Sequence, residues 1–313
     1  MPKVSVVVPV YNVEDYVERS LNSLVNQTLD DIEIIVVNDG STDSSKEKIL
    51  KIAETSDKIK YLEKENGGLS DARNFGMKKA TGEYICFLDS DDYVEPTIYE
   101  KMYNKAIEEN ADYVECDFIW EYPDKKKIDT GYRYKDKREM FVYARVVAWN
   151  KLIKRDIIKN EFPKGLHYED VEFFYKLLPD INKFSFVEEP LIHYIQRENS
   201  IANKQDYKTA QIFNVLDNTI DYYKKNNLYD EWKDEIEYTY ARLLLCSSLK
   251  RMCHVDDDVA RERLLGETWV NLNTKFPDWK KNKYLKVKSN KNRYMRSVNK
   301  RTYKFYCKLF KKL

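Results

Sequence analysis

The chain has 313 residues, 42% hydrophobic and 34% charged, with 54 Lys/Arg against 53 Asp/Glu for a net charge of +1. That length holds one large domain or a core domain with an appendage, and the composition is that of a soluble globular protein. No run approaches the roughly 20 apolar residues that cross a bilayer as a helix.

The five cysteines (Cys86, Cys116, Cys246, Cys253, Cys307) are odd in number, scattered, and lack metal-ligand spacing. The opening MPKVSVVVPVYN runs straight into a strand without the regions of a signal peptide. Together these give the expectation of a cytoplasmic protein. The near-zero net charge hides an asymmetry. Trp279–Leu313 holds 14 Lys/Arg and no Asp/Glu, which leaves −13 for the first 278 residues. The basic end calls for an anionic partner.

The first half alternates strand and helix. Val4–Val8 is a β-branched run of the kind covered on both faces, ending at Pro9-Val10-Tyr11-Asn12. Val13, Val17, Leu21, Leu24 and Val25 follow at helical spacing. Ile32–Val37 is a second strand, ending in Asn38-Asp39-Gly40-Ser41-Thr42-Asp43, which caps a helix from Ser44. Ile59–Leu62 is a short third strand that leads to Glu65-Asn66-Gly67-Gly68 and a helix over Leu69–Ala80. The central strand Tyr84–Leu88 ends on Asp89, Asp91 and Asp92. A helix runs to Glu109, and Tyr113–Trp120 is apolar. Residues 121–138 read as an exposed loop or hairpin, Phe141–Leu152 turns apolar again, and a helix starts near Tyr168. Phe184–Val187 and Leu191–Ile195 are short strands. After Ser200 the pattern becomes long helices: Tyr207–Lys225, Tyr229–Arg251 and about Asp256–Asn271. The expected organisation is an α/β catalytic domain over 1–200 and a helical region over 201–313. Strand-helix alternation predicts a doubly wound, mostly parallel, Rossmann-like sheet. Its ligand loops gather at the carboxyl ends of the strands, where PVYN, NDGSTD, ENGG and DSDD all stand.

Several of these segments can carry chemistry. Asp89 and Asp91 share one face of an extended segment. Crowded carboxylates need a cation or a donor-rich ligand, and an oxygen-only set suits Mg²⁺ or Mn²⁺; an acidic turn before a helix is the plainer reading. Tyr11 beside Asp39 offers an aromatic face and an acceptor for an imide N–H, which suits uracil. Gly67-Gly68 ahead of a helix exposes backbone N–H groups to an anion, with Arg73 one turn in. The segment HYEDVEFF places His167, Glu169 and Asp170 at a helix start, fit for general-base work, although acids favour helix starts for dipole reasons alone. His193 lies on a strand, and Arg197 beyond it is a candidate phosphate contact.

Taken together, PVYN, NDGSTD, Asn66-Gly67-Gly68, Arg73-Asn74 with Gly76, DSDD and Glu169-Asp170 stand in the order and spacing of family-two glycosyltransferases of the GT-A fold. The chain resembles the bacterial capsule, exopolysaccharide and cell-wall-polymer type over about residues 3–200. The resemblance implies an inverting transfer of a hexose or N-acetylhexosamine from a UDP-sugar to an acceptor hydroxyl of a surface polysaccharide or lipid-linked glycan. It implies a donor site of Pro9, Tyr11, Asn12, Asp39, Asn66, Gly67, Arg73, Asp89, Ser90 and Arg197. Asp91, with Asp89 and His193, would hold Mn²⁺ or Mg²⁺. Asp170 would be the base, with Glu169 second, and Trp149 and His167 would meet the acceptor. A sugar nucleotidyltransferase would carry a Gly-rich, lysine-bearing loop after the first strand, where PVYN stands instead. A non-catalytic scaffold would have lost Asp39, Asp91 or Asp170, and all three are present.

At 100° per residue, Met295, Val298, Thr302, Phe305, Tyr306, Leu309, Phe310 and Leu313 fall on one face, and Lys300, Arg301, Lys304, Lys308, Lys311 and Lys312 on the other. This predicts a basic amphipathic helix over about 290–313, suited to an anionic membrane surface and so to the inner face of the plasma membrane; a helix packed on the domain with a solvated basic face is the plainer reading. No nucleic-acid module accompanies the charge. The helices after Ser200 are a candidate homodimer surface.

Overall fold

A computed structural model describes residues 1–197 and 206–311. Contacts divide the chain into two compact units, Met1–Arg133 with Arg145–Glu198, and Tyr134–Ala144 with Asn199–Leu313. The boundary expected near Ser200 lies outside the described residues.

The first unit begins β1 (Val4–Val10), α1 (Val17–Val25), β2 (Ile32–Asn38), α2 (Ser45–Ala53), β3 (Ile59–Glu63), α3 (Leu69–Met77) and β4 (Tyr84–Phe87). The strands β3-β2-β1-β4 pair in parallel. Every residue of β1, β2 and β4 is buried, as their largely apolar sequences suit strands covered on both faces. Next come β5 (Tyr93–Val94), α4 (Ile98–Glu109), β6 (Tyr113–Glu121) and β7 (Lys126–Asp129). β7 returns on β6 as a hairpin, one of the two forms expected for 121–138.

The short helix α5 (Lys137–Tyr143) belongs to the second unit. This departs from a single domain over 1–200, and the cause is aromatic packing. Phe141 of α5 stacks on Trp232 at 5.5 Å and meets Tyr223 edge-on at 5.7 Å, while Arg138 lies over Trp232 and pairs with the buried Glu235.

The first unit resumes with β8 (Lys151–Lys154), α6 (Glu169–Leu177) and β9 (Phe184–Ile195). The sheet runs β3-β2-β1-β4-β8-β6-β9-β5. Beyond β4 it becomes mixed, since β8 is antiparallel to both β4 and β6, and β9 is parallel to β6. The two short strands expected over 184–195 are one strand with a register shift opposite Asp117. In the second unit, α7 (Gln211–Lys225) is followed by α8 (Tyr229–Arg242), which continues through a π-helical stretch, Leu243–Ser248, into α9 (Leu249–Cys253). The helix α10 (Asp258–Lys275) follows.

The C-terminal segment forms two helices, α11 (Asn290–Ser297) and α12 (Thr302–Phe310), rather than the single one expected. The Asn299 side chain accepts from the N–H groups of Arg301 and Thr302, starting a new helix. The apolar face divides accordingly. Met295 and Val298 are fully buried, Tyr303 and Cys307 nearly so, whereas Phe305 is 63% and Leu309 41% exposed.

Candidate active site

The site is built from the carboxyl ends of β1, β2 and β4, the start of α3 and the start of α6. Pro9 is buried within β1, paired with Val37 of β2. Tyr11, just beyond, is 50% exposed and so open to a ligand. Asn12 takes a left-handed φ of 51°, and its side chain accepts from Thr42 N–H at 2.8 Å while its own N–H donates to the Ser41 hydroxyl. Asn12 thereby pins the first polar loop to the second.

Asp39, at the end of β2, is buried and fully engaged. Its Oδ1 accepts from Gly67 N–H at 3.0 Å and from Lys64 Nζ at 2.7 Å, and its Oδ2 accepts from Gly68 N–H at 2.8 Å. The Asn66 side chain donates to the Asp39 carbonyl. The glycine loop thus folds over Asp39, turned by Gly68 at φ 85°. Lys64 also pairs with Asp71 at 2.6 Å, and Asp71 with Lys164. Lys64 was not singled out from the sequence. A cation two residues ahead of Asn66, facing a strand-end aspartate, was the available signal.

Helix α3 explains the grouping of Arg73, Asn74 and Gly76. Asn74 donates to and accepts from the Phe162 backbone, each at 2.8 Å. Gly76 lies against Val7 and Val37, where a Cβ would stand 2.5 Å from Val7 Cγ1. Arg73 is buried with its guanidinium over the Phe162 ring. It reaches Asp89 at 2.5 Å with one nitrogen and Glu169 at 2.7 Å with the other. Burial alone would make this guanidinium easier to deprotonate, but Asp89 and Glu169 push its pKa above the ordinary arginine value. Arg73 therefore ties the end of β4 to the start of α6.

At the end of β4, Asp91 Oδ2 pairs with Arg197 at 2.8 Å, and Ser90 is buried beside it. Burial and the neighbouring Asp89 raise the Asp91 pKa, with Arg197 opposing. Asp92 Oδ1 accepts from Ile195 N–H at 2.8 Å. Its Oδ2 has no hydrogen-bond partner among the described residues, and burial pushes its pKa well up.

His193 does not join this cluster as the expected third metal ligand. Its Nδ1 lies 2.8 Å from Glu121 and its Nε2 2.9 Å from Glu95, while its ring stacks on Tyr93. Cross-strand pairing with Tyr93 fixes the ring there. Among the described residues no three His, Cys, Asp or Glu side chains converge as a metal cage. Asp89 and Asp91 present carboxylate oxygens of the kind that hard divalent cations take as ligands.

Helix α6 opens with Tyr168 at φ 65°, an uncommon conformation for a tyrosine, preceded by Gly165 at φ 74°. This turn carries His167 and sets Glu169 and Asp170 as the first two helical residues. Glu169 is held by Arg73, whereas Asp170 Oδ1 accepts from Val171 N–H at 2.9 Å. Burial, then repulsion from Glu169, raises the Asp170 pKa to about 7, with Arg73 opposing. Lys151 on β8 is fully enclosed, 2.6 Å from Asn150 Oδ1 and 3.8 Å from Glu115. Burial lowers its pKa, with Glu115 and Asp170 opposing. A lysine inside an apolar strand pattern was its sequence signal.

Trp149 is not an acceptor platform. It is 6% exposed, edge-on to Phe118 at 4.7 Å and stacked on Tyr194 at 5.0 Å, so it belongs to the core beneath the site.

Known proteins resemble this chain in sequence and in fold. The profile described as Glycosyl transferase family 2 matches residues 5–177. The putative glycosyltransferase EpsH of Bacillus subtilis is 36% identical over 253 residues, 75% of this chain and 73% of EpsH. The uncharacterized glycosyltransferase YibD of Escherichia coli is 30% identical over 296 residues, 86% of this chain and 85% of YibD. The crystal structure of residues 1–349 of S. aureus TarS in complex with UDP superposes with a TM-score of 0.76 at 19% identity, covering 98% of this chain and 91% of that one. A mannosyltransferase from Pyrobaculum calidifontis, in complex with GDP-Man and Mn²⁺, gives 0.56 at 15% identity over 99% and 87%. With a GT-A sheet, the acids of the expected positions intact and these relatives, the chain belongs to glycosyltransferase family 2.

Proposed function

We propose that the chain moves a hexose or N-acetylhexosamine from a UDP-sugar to an acceptor hydroxyl of a bacterial surface polysaccharide or lipid-linked glycan, with inversion. The observation that carries this reading is the Arg73 bridge, which holds the β4 acids and the Asp170 helix together as one charged site. Tyr11, half exposed just beyond β1, suits stacking on a base, and Asp39 would accept its imide N–H in place of one of the donors it now holds. The relative crystallised with UDP supports that donor.

Asp170 removes the proton from the acceptor hydroxyl as the oxygen attacks C1 of the donor sugar from the face opposite the diphosphate. The C1–O bond to the diphosphate breaks, the anomeric centre inverts, and the electron pair leaves on UDP. A base with a pKa of about 7 is matched to this work at neutral pH. Glu169, committed to Arg73, is the weaker candidate. Asp91 with Asp89 would hold Mn²⁺ or Mg²⁺, whose charge offsets the negative charge gathering on the leaving diphosphate. The relative holding GDP-Man with Mn²⁺ supports that choice. Arg197, next to Asp91, is the diphosphate contact of this reading.

Among the described residues no helix is long and apolar enough to cross a membrane. The basic α11–α12 region, with Phe305 and Leu309 outward, would rest on an anionic membrane surface and bring the site to a lipid-linked acceptor.

The test is calorimetric titration with UDP and with GDP, each with and without Mn²⁺, followed by a UDP-sugar panel with wild type and Asp170→Asn. Mn²⁺-dependent UDP binding with transfer lost only in the variant is the expected result. Transfer retained by Asp170→Asn, or binding of neither nucleotide, refutes the reading.

A further inference from the structure

The second unit contains a cavity of about 350 Å³ between α9, α10 and α12, a size within the range of small-ligand sites. Its lining includes Arg261, Glu262, Gly266, Tyr303, Lys308 and Lys311. Tyr303 is 5% exposed, and its hydroxyl is buried with no hydrogen-bond partner among the described residues. Its ring is held by Trp269, 5.5 Å away. Burying a hydroxyl without a partner is costly, so this one, in a residue of the cavity wall, is a donor short of an acceptor.

Gly266 adds an independent observation. It lies inside α10, where glycine is destabilising relative to alanine. A Cβ built on it meets nothing within 4 Å. Neither close packing nor a left-handed conformation requires glycine there. Gly266 is exposed where it lines the cavity, so the missing side chain leaves that side open.

The charge of the lining limits what can enter. Arg261, Lys308 and Lys311 bring three positive charges. Glu262 removes one, and Asp258, paired with Arg261, removes another. The surplus matches a monoanion such as a phosphodiester better than a dianionic phosphomonoester. On α12, Lys308 stands between the cavity residues Tyr303 and Cys307 and the exposed pair Phe305 and Leu309, one turn apart. The cavity, the basic sector and the apolar pair thus follow one another around a single helix.

We infer that this cavity receives the phosphodiester headgroup of an anionic membrane phospholipid, which accepts from the Tyr303 hydroxyl and is held by Arg261, Lys308 and Lys311. This deepens the membrane reading above and rests on it: the charged surface attracts the protein, and the cavity grips one headgroup.

The test is co-sedimentation of the full chain with phosphatidylcholine vesicles with and without phosphatidylglycerol. Gly266→Met fills the cavity without altering charge, and Tyr303→Phe removes only the hydroxyl. A third variant neutralises Lys286, Lys288, Lys300 and Arg301 as glutamines, outside the cavity lining. Thermal melts confirm that each variant is folded. Wild type should bind phosphatidylglycerol vesicles, Tyr303→Phe should bind about tenfold more weakly, and Gly266→Met at least as poorly. Soluble glycerophosphoglycerol should compete, with inorganic phosphate much less effective. If folded Gly266→Met and Tyr303→Phe bind like wild type while the surface variant does not, the cavity inference is wrong and the membrane reading stands. If inorganic phosphate competes as well as the headgroup, the cavity is a free-phosphate site and the inference again fails. If wild type ignores the vesicles, both readings fail together.

Discussion

The raised pKa of Asp170 can be tested both in the fold and in the reaction. Its ordinary value of 3.8 moves to about 7 through burial and the neighbouring Glu169. The folded state therefore holds the proton where the unfolded state has released it, and stability falls as pH rises from about 4 to about 7. Each pKa unit corresponds to about 1.4 kcal/mol, so the full shift would amount to about 4 kcal/mol above neutrality. Asp170 retains some solvent contact, which lowers the expected figure to about 2–3 kcal/mol. Asp170→Asn removes the ionisation while keeping an oxygen for Val171 N–H. It should be more stable than wild type at pH 8 and much closer to it at pH 4, with the gap growing by about 2 kcal/mol across that interval. The assay is denaturant unfolding of both proteins at the two pH values. In wild type, kcat/KM should rise with pH through about 7 as the base form appears. An unfolding gap independent of pH, together with a flat rate profile, would refute both the environment and the role given to Asp170.

Arg73→Ala should cost about 2–4 kcal/mol in chemical unfolding, below the fully buried range because Asp89 keeps some solvent contact. Adding Glu169→Gln should recover part of that loss, and strict additivity would argue against the bridge. Asp91→Asn should weaken UDP binding in Mn²⁺ by at least about tenfold and leave metal-free binding nearly unchanged, as read by calorimetry. Equal affinities in Mn²⁺ would remove Asp91 from the metal. Gly76→Ala should destabilise by about 1–3 kcal/mol, since its Cβ meets Val7 and Val37. Turnover per folded molecule should stay near wild type, so a loss of kcat without a loss of stability would mean that α3 does more than pack.

The parallel half of the sheet was legible because β1, β2 and β4 are covered on both faces and therefore read as mostly apolar runs, broken only by single polar residues such as Ser5 and Glu33. The strand-end loops were legible for the same reason, as each run stops abruptly at a polar turn. The antiparallel half was harder to read. The strand β8 is four residues long, with Lys151 buried inside it, and its place between β4 and β6 follows from long-range pairing that no local pattern encodes. Trp149 and His193 were misplaced because a residue type suggests a role while its neighbours decide it. Phe118 and Tyr194 enclose Trp149, and Glu95 and Glu121 occupy both nitrogens of His193. The wheel over 290–313 assumed one uninterrupted helix, and Asn299 breaks it by capping a second. The residues alone did not separate Asp170 from Glu169, and their ranking came from the family resemblance. In the fold they are separated by Arg73, 96 residues from Glu169 along the chain, which holds Glu169 alone of the two.

The same cations bear on how a diphosphate can enter. Arg73 is committed to Asp89 and Glu169, Arg197 to Asp91, and Lys64 to Asp39 and Asp71. A donor diphosphate adds at least two negative charges to a site whose cations already have partners. Freeing Arg73 would leave carboxylates facing one another across the gap between β4 and α6, at a cost of several kcal/mol. Releasing Arg197 exposes Asp91 to Asp89 and to the incoming phosphates. An added divalent charge at Asp91 removes this conflict. It would satisfy the carboxylate that Arg197 leaves and free that arginine for the diphosphate. It would also leave the Arg73 bridge, and with it the position of Asp170, intact. On this reasoning metal and donor bind as a linked pair. UDP should raise the affinity for Mn²⁺ by the same factor by which Mn²⁺ raises the affinity for UDP, and titrations run in either order should return one coupling energy.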